Sequence, residues 1–157
     1  MAETIREMIS EEKVDERIRE LGRQISEDYA GKQIHLICVL KGRRTFLCVS
    51  WLSGLPCRFS MDFMCVGSYG DGTASSGVVR IAKDLDESIE NKEVLIVEDI
   101  IDSGNTLYYL IDVLKKRNPA SMRLCTLLDK PDRRVKDVKV DYCGFEIPDE
   151  ICCGIWA

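Results

Sequence analysis

The chain carries one histidine, His35, in 157 residues, and none of its cysteines fall in a CxxC pair. A zinc site built from those ligands therefore has no pattern to rest on. No stretch of about 18 uncharged apolar residues occurs, so nothing is expected to span a membrane. Neither GxxxxGK[ST] nor GxGxxG is present, which removes the Walker-type loop and gives a dinucleotide fold little support. Excess positive charge is also missing: 22 Lys+Arg stand against 27 Asp+Glu, a formal net charge of -5. That balance argues against broad binding to a phosphate backbone, and no nucleic-acid partner is expected. The opening residues, "MAETIREMISEEK", are too acidic for a signal or transit peptide, so a cytoplasmic protein is expected.

Cysteine itself is plentiful, at positions 38, 48, 57, 65, 125, 143, 152 and 153. Most of these sit among apolar residues, as in "LICVL" and "RLCTLL", and read as reduced, buried thiols. The hydrophobic share of 45% and charged share of 31% suit one globular domain over residues 1–157.

Val14, Ile18, Leu21, Ile25 and Tyr29 recur at helical spacing, predicting an amphipathic helix over 11–29 with Ser10 as N-cap. "IHLICVL" at 34–40 reads as a buried strand, followed by a turn and a second helix at about 43–53. A strand is expected at 58–66, then a glycine-rich surface loop at 67–77, then extended chain in "VVRIAKDLD". The segment 58–82 is expected to leave the main sheet as an antiparallel excursion. "EVLIVED" reads as the central strand, and Leu107, Leu110, Ile111 and Leu114 give the next helix its apolar face. "SMRLCTLLD" and "VDYCGFEI" supply two further strands. Strands alternating with helices predict an α/β fold: an open, mostly parallel sheet with helices on both faces.

The stretch "VLIVEDIIDSGNTL", 94–107, ends a buried strand in three carboxylates: Glu98, Asp99 and Asp102. In open α/β sheets, ligands bind beyond the carboxyl ends of the strands. The following helix tip offers amides without internal partners, with the hydroxyls of Ser103 and Thr106 beside them, a cradle for a phosphate monoester. Carboxylates beside such a cradle would repel the ligand unless they met hydroxyls or a divalent cation. A phosphorylated ribose with magnesium meets both conditions. The plainer alternative is an acidic turn whose Asp102 merely caps the helix.

The stretch resembles the phosphoribosyl-pyrophosphate signature of type I phosphoribosyltransferases. "VLKG" at 39–42, "DFMCVGSYG" at 62–70, "KDLDESIENKEVLIVEDIIDSGNTL" at 83–107, "CTLLDKPDRR" at 125–134 and "GFEIPDE" at 144–150 follow in order. Together they look like the hypoxanthine phosphoribosyltransferase family of purine salvage, across almost the whole chain. The resemblance implies transfer of phosphoribose from phosphoribosyl pyrophosphate to hypoxanthine or guanine, with magnesium as cofactor and a homodimer or homotetramer as the assembly. It implies that Glu98 and Asp99 meet the ribose hydroxyls and the metal, and that Asp102 is the general base. Ser103, Gly104, Asn105 and Thr106 match the 5′-phosphate loop, and Lys41 and Gly42 a pyrophosphate loop with a strained or cis peptide. Ser68 and Tyr69 match a mobile lid, and Lys130 a donor to the purine six-oxo group. Asp62 falls in a matched segment without an implied role.

The match fails at the end. The family pattern continues with an aromatic that stacks on the purine, then an aspartate and an arginine; this chain reads "ICCGIWA". Ile151 stands where the resemblance places the aromatic, Cys152 follows it as a further substrate-binding position, and the family's C-terminal part is expected to be missing. Codons for these seven residues can be chosen so that a one-base shift reads Phe-Val-Val-Gly-Tyr-Gly, so a frameshift near codon 150 is expected. The resemblance then allows an impaired remnant, or a regulatory nucleotide-binding relative, as alternatives to an active transferase.

Overall fold

In the computed structural model the described residues are 9–40, 57–68 and 79–149. Helix α1, Glu11–Asp28, starts where Ser10 Oγ accepts the Lys13 amide at 3.3 Å, with Glu11 and Glu12 in its first turn. Val14, Leu21 and Ile25 form its buried stripe. Beyond the helix, Gly31 takes φ 78, a left-handed conformation that costs glycine little.

Strand β1, Ile34–Leu40, is buried over six of its seven residues. It runs parallel to β2, Phe59–Ser68, on one side and to β4, Glu93–Ile101, on the other. β3, Val79–Lys83, closes one edge antiparallel to β2. Helix α2, Asn105–Lys115, leads from β4 to β5, Ser121–Asp129. A short 3₁₀ turn, Pro131–Arg133, and β6, Tyr142–Glu146, complete the order β3-β2-β1-β4-β5-β6. The expected excursion of 58–82 is thus corrected: β2 is a full parallel member of the sheet, and only β3 reverses. β2 can do so because Met64 and Val66 pack on one face while Phe59, Met61 and Phe63 pack on the other, as in a strand covered on both sides.

The two described helices lie on opposite faces. α1 sends Leu21, Ile25 and Tyr29 against Leu36, Cys38, Leu95, Val97 and Cys125. α2 sends Leu107, Leu110 and Leu114 against Ile37, Val39, Ile96 and Leu124. Burial of these side chains at roughly 1.5–3 kcal/mol each is the main force holding the layers together. Cys38 and Cys125 are buried within that packing.

Two polar devices fix the remaining edges. Buried Asp62 accepts the amides of Asp86 at 2.8 Å and Glu87 at 3.2 Å, anchoring the chain between β3 and β4. Arg17 of α1 donates to the carbonyls of Cys143 at 2.8 Å and Gly144 at 3.0 Å, covering the outermost strand.

Candidate functional site

From β1 the chain passes to β2 on one side, whereas from β4 it passes to β5 on the other, so the direction of sheet construction reverses between β1 and β4. In open α/β sheets a crevice opens at the carboxyl ends of strands flanking such a reversal. β4 delivers Glu98 and Asp99 there. Glu98 is almost wholly buried, and its Oε1 accepts the Asp99 amide at 3.1 Å. Asp99, half-buried, accepts the Ile100 amide through Oδ1 at 2.7 Å. Both carboxylates are thereby held against their own strand end.

Beyond Ile101 the chain turns through Asp102 and Ser103 into Gly104, the N-cap of α2, with φ 81. Gly104 itself has no side chain to cap the helix. The plainer reading of Asp102 as that cap does not hold: its carboxylate instead pairs with Arg133, Nε lying 2.6 Å from Oδ1. Ser103 Oγ accepts the Asn105 amide at 3.4 Å, and Ser103, Asn105 and Thr106 are all part-exposed. The helix tip therefore carries two part-exposed hydroxyl residues directly after the carboxylate-bearing strand end.

A neighbouring segment grips this turn. The Ser103 carbonyl accepts the amides of Val135 at 2.8 Å and Lys136 at 3.2 Å. Arg134 folds inward and pairs with Asp129 at the end of β5. Burial pushes the Asp129 carboxyl above its ordinary range; Arg134 opposes that rise and Glu146 adds to it.

Lys130 follows β5 directly. It is 7% exposed, unlike an ordinary solvated lysine after a strand, and its amide donates to the Ile101 carbonyl at 3.0 Å. Just past the end of β6, the Ile147 amide donates to the Asp129 carbonyl at 2.8 Å. The ends of β4, β5 and β6 are thus laced together, which brings Glu98, Asp99, Asp102, Ser103, Gly104, Asn105, Thr106 and Lys130 around one mouth. Ser68 ends β2, the strand beyond β1 in the sheet. Lys41, Gly42, Tyr69, Ile151 and Cys152, with the helix expected at 43–53, lie outside the described residues.

Local sequence gives no sign of Arg133 and Asp149 as part of this mouth. "PDRR" reads as a charged turn, yet Arg133 reaches Asp102 with Nε and Asp149 Oδ1 with Nη1, the latter at 3.2 Å.

For a metal, the donors on offer are carboxylate oxygens, the hard ligands that suit magnesium. Among the described residues no group of three or more His, Cys, Asp or Glu side chains could hold a metal by itself. Glu98 and Asp99 fit an ion bound through one or two carboxylates with water and ligand phosphates completing its shell. Among the described residues no helix is long and apolar enough to cross a membrane.

Comparison with known proteins gives a consistent picture. Residues 7–155 match the model of the phosphoribosyl transferase domain. A hypoxanthine phosphoribosyltransferase of Buchnera aphidicola is 47% identical over 156 residues, covering 98% of this chain and 88% of the relative. The bifunctional protein TilS/HprT of Listeria monocytogenes is 48% identical over 147 residues; the match takes in 94% of this chain but spans only 22% of that protein's length. Among solved structures, a hypoxanthine-guanine phosphoribosyltransferase of Bacillus anthracis, with a HEPES molecule in its active site, superposes with a TM-score of 0.87 at 43% identity. That match covers 95% of this chain and 87% of the other.

Proposed function

We propose, from the premise that the chain belongs to the phosphoribosyl transferase family, that it transfers phosphoribose from phosphoribosyl pyrophosphate to hypoxanthine or guanine. In this reaction a purine ring nitrogen forms a bond to the anomeric carbon. The bond from that carbon to the pyrophosphate oxygen breaks, pyrophosphate leaves with the electron pair, and the purine gives up one proton. The observation that carries the reading is the convergence at one mouth of a paired-carboxylate strand end, a glycine-capped helix tip and a buried lysine from the next strand.

Each group has a physical task. The amides and hydroxyls of residues 103–106 hold the 5′-phosphate, aided by the positive end of α2. Glu98 and Asp99 accept hydrogen bonds from the ribose diol and would hold magnesium, which when bound offsets the charge on pyrophosphate. Asp102, exposed on the turn, takes the purine proton in this reading. Lys130 is donor-only, so it favours a six-oxo acceptor and rejects an amino group at that position. Lys41, Gly42, Ser68 and Tyr69 complete the pyrophosphate side in this reading, and Ile151 and Cys152 the face of the base. The transition state is cationic at the sugar, so the contribution of these groups is positioning and charge stabilisation. The acidic balance of the chain speaks against a nucleic-acid partner. A homodimer or homotetramer in the cytoplasm completes the proposal, and sedimentation analysis checks the assembly.

Pyrophosphate release, measured with hypoxanthine, guanine, xanthine and adenine, with and without magnesium, tests the function. Magnesium-dependent release with hypoxanthine or guanine but not adenine is expected. Absence of release with every base would overturn the assignment.

A further inference from the structure

We propose that Arg133 is a positioning residue, a strut that orients the Asp102 carboxylate at the base side of the mouth by tying it to Asp149. The inference rests on the reading above, in which the base sits beside Asp102 and Lys130.

The three strand ends are tied at their base by backbone bonds, from Lys130 to Ile101 and from Ile147 to Asp129. Above that level the segments separate. Among the described backbone hydrogen bonds, none links residue 102 to residues 147–149. Among the described residues the Arg133 side chain closes the span instead. Arg133 lies at the end of the Pro131–Arg133 turn, its amide held by the Lys130 carbonyl at 3.1 Å, so its stem starts from a fixed point. From there Nε sits 2.6 Å from Asp102 Oδ1 and Nη1 sits 3.2 Å from Asp149 Oδ1. A planar guanidinium can serve two carboxylates in set directions; a lysine ammonium on a flexible stem cannot reproduce that fork.

All three side chains are about half-exposed. Exposed ion pairs add little to global stability. The consequence of this bridge therefore lies in the local geometry of the mouth. With Oδ1 of Asp102 paired to Arg133, the carboxylate keeps Oδ2 as an acceptor for the purine proton in that reading. The phosphate cradle, built from backbone at the tip of α2 and gripped separately through the Ser103 carbonyl, does not depend on the strut.

Calorimetric titration with two ligands, ribose 5-phosphate and inosine 5′-monophosphate, separates the subsites. In Arg133→Met, affinity for ribose 5-phosphate should stay within about twofold of wild type, while nucleotide affinity falls about fivefold, as expected for an exposed charge bridge. Asp149→Asn should show the same selective loss. The double variant should be no worse than Arg133→Met, because both changes cut one bridge. Arg133→Lys should fall between. Thermal midpoints close to wild type show that the fold is kept. Wild-type nucleotide affinity in Arg133→Met, equal loss of both ligands, or additive losses in the double variant would overturn the strut. A wild-type chain that does not bind the nucleotide would instead overturn the underlying reading, and the strut with it.

Discussion

Arg134 lies across Gly104: a Cβ placed on that glycine would come 3.0 Å from Arg134 Cδ, 3.0 Å from the Lys136 carbonyl oxygen and 3.2 Å from Val138 Cγ2. The same glycine holds φ 81, where an L side chain costs about 1–2 kcal/mol. Gly104→Ala is therefore doubly penalised, by its own backbone and by the segment pressed on it. The flexible end of Arg134 can give way, but the Lys136 carbonyl belongs to the grip on Ser103 and moves only with the loop. The expected outcome is a loss of about 1–3 kcal/mol in denaturant unfolding together with weaker binding of ribose 5-phosphate. Stability loss with unchanged ligand affinity would detach this loop from phosphate binding.

Lys130→Met tests the base side alone. The lysine is buried, so methionine can occupy much of its path without opening a large space. In the proposed role of Lys130 the change removes a charge-assisted hydrogen bond to the six-oxo group, worth about 1.5–3 kcal/mol, or roughly 10–100-fold in affinity for hypoxanthine. Ribose 5-phosphate binding should be unchanged. Equal weakening of both ligands would show that Lys130 shapes the mouth instead of reading the base.

Much of this architecture is legible in the amino-acid order because its elements are strongly punctuated. β1 at 34–40 and β5 at 121–129 are apolar runs bounded by polar or turn residues, and both lie where the pattern places them. The helix expected at 11–29 ends at Asp28, with Tyr29 as its cap. Strand order is not local information: 58–82 carries a hairpin pattern, yet β2 pairs parallel with β1 because its two faces are both apolar enough to be covered. The carboxylate cluster of the mouth is legible, since charge at the end of a buried strand needs a reason. Arg133 is not, because a "PDRR" turn looks solvated until the ends of β4 and β6 supply its partners. Burial of Lys130 is hidden for the same reason.

His35 makes stability depend on pH. It is 2% exposed on β1, and its Nδ1 lies 2.7 Å from Ser60 Oγ. Among the described residues its Nε2 is buried without a hydrogen-bond partner. Burial, helped by the positive charge of Lys92, lowers its pKa below 6.5, while Asp62 and Glu87 work in the other direction. The unfolded chain therefore takes up the proton first as pH falls. The stabilising contribution of neutral His35 is complete above pH 6.5 and is lost as pH drops from there toward the folded-state value. One proton contributes a slope of at most about 1.4 kcal/mol per pH unit. Urea unfolding between pH 8 and pH 5 should show a slope that flattens in His35→Asn. An equal slope in both proteins would assign it to other groups.

The opposite end of the sheet offers a control in which stability and ligand binding part company. The Tyr142 hydroxyl donates to Asp28 Oδ2 at 2.5 Å and accepts from Arg123 Nη1 at 2.8 Å, tying the end of α1 to β5 and β6. Arg123 also lies 4.9 Å from the centroid of the Tyr29 ring. Burial and the hydrogen bond to Asp28 push the Tyr142 hydroxyl up to about 12, although Arg123 opposes the rise, so it remains a neutral donor throughout the neutral range. Tyr142→Phe removes the hydroxyl and keeps the ring in the core. Asp28 and Arg123 are partly exposed and regain water, which limits the cost to about 1 kcal/mol. Because Tyr142 opens β6 and pairs with Cys125 at the middle of β5, before the strand ends that form the mouth, affinities for ribose 5-phosphate and for the nucleotide should both match wild type. A lower denaturant midpoint with unchanged titrations is the expected pair of results. A change in nucleotide affinity would mean that the packing of α1 against the sheet is transmitted to the mouth, and that the two ends of the strands do not act independently.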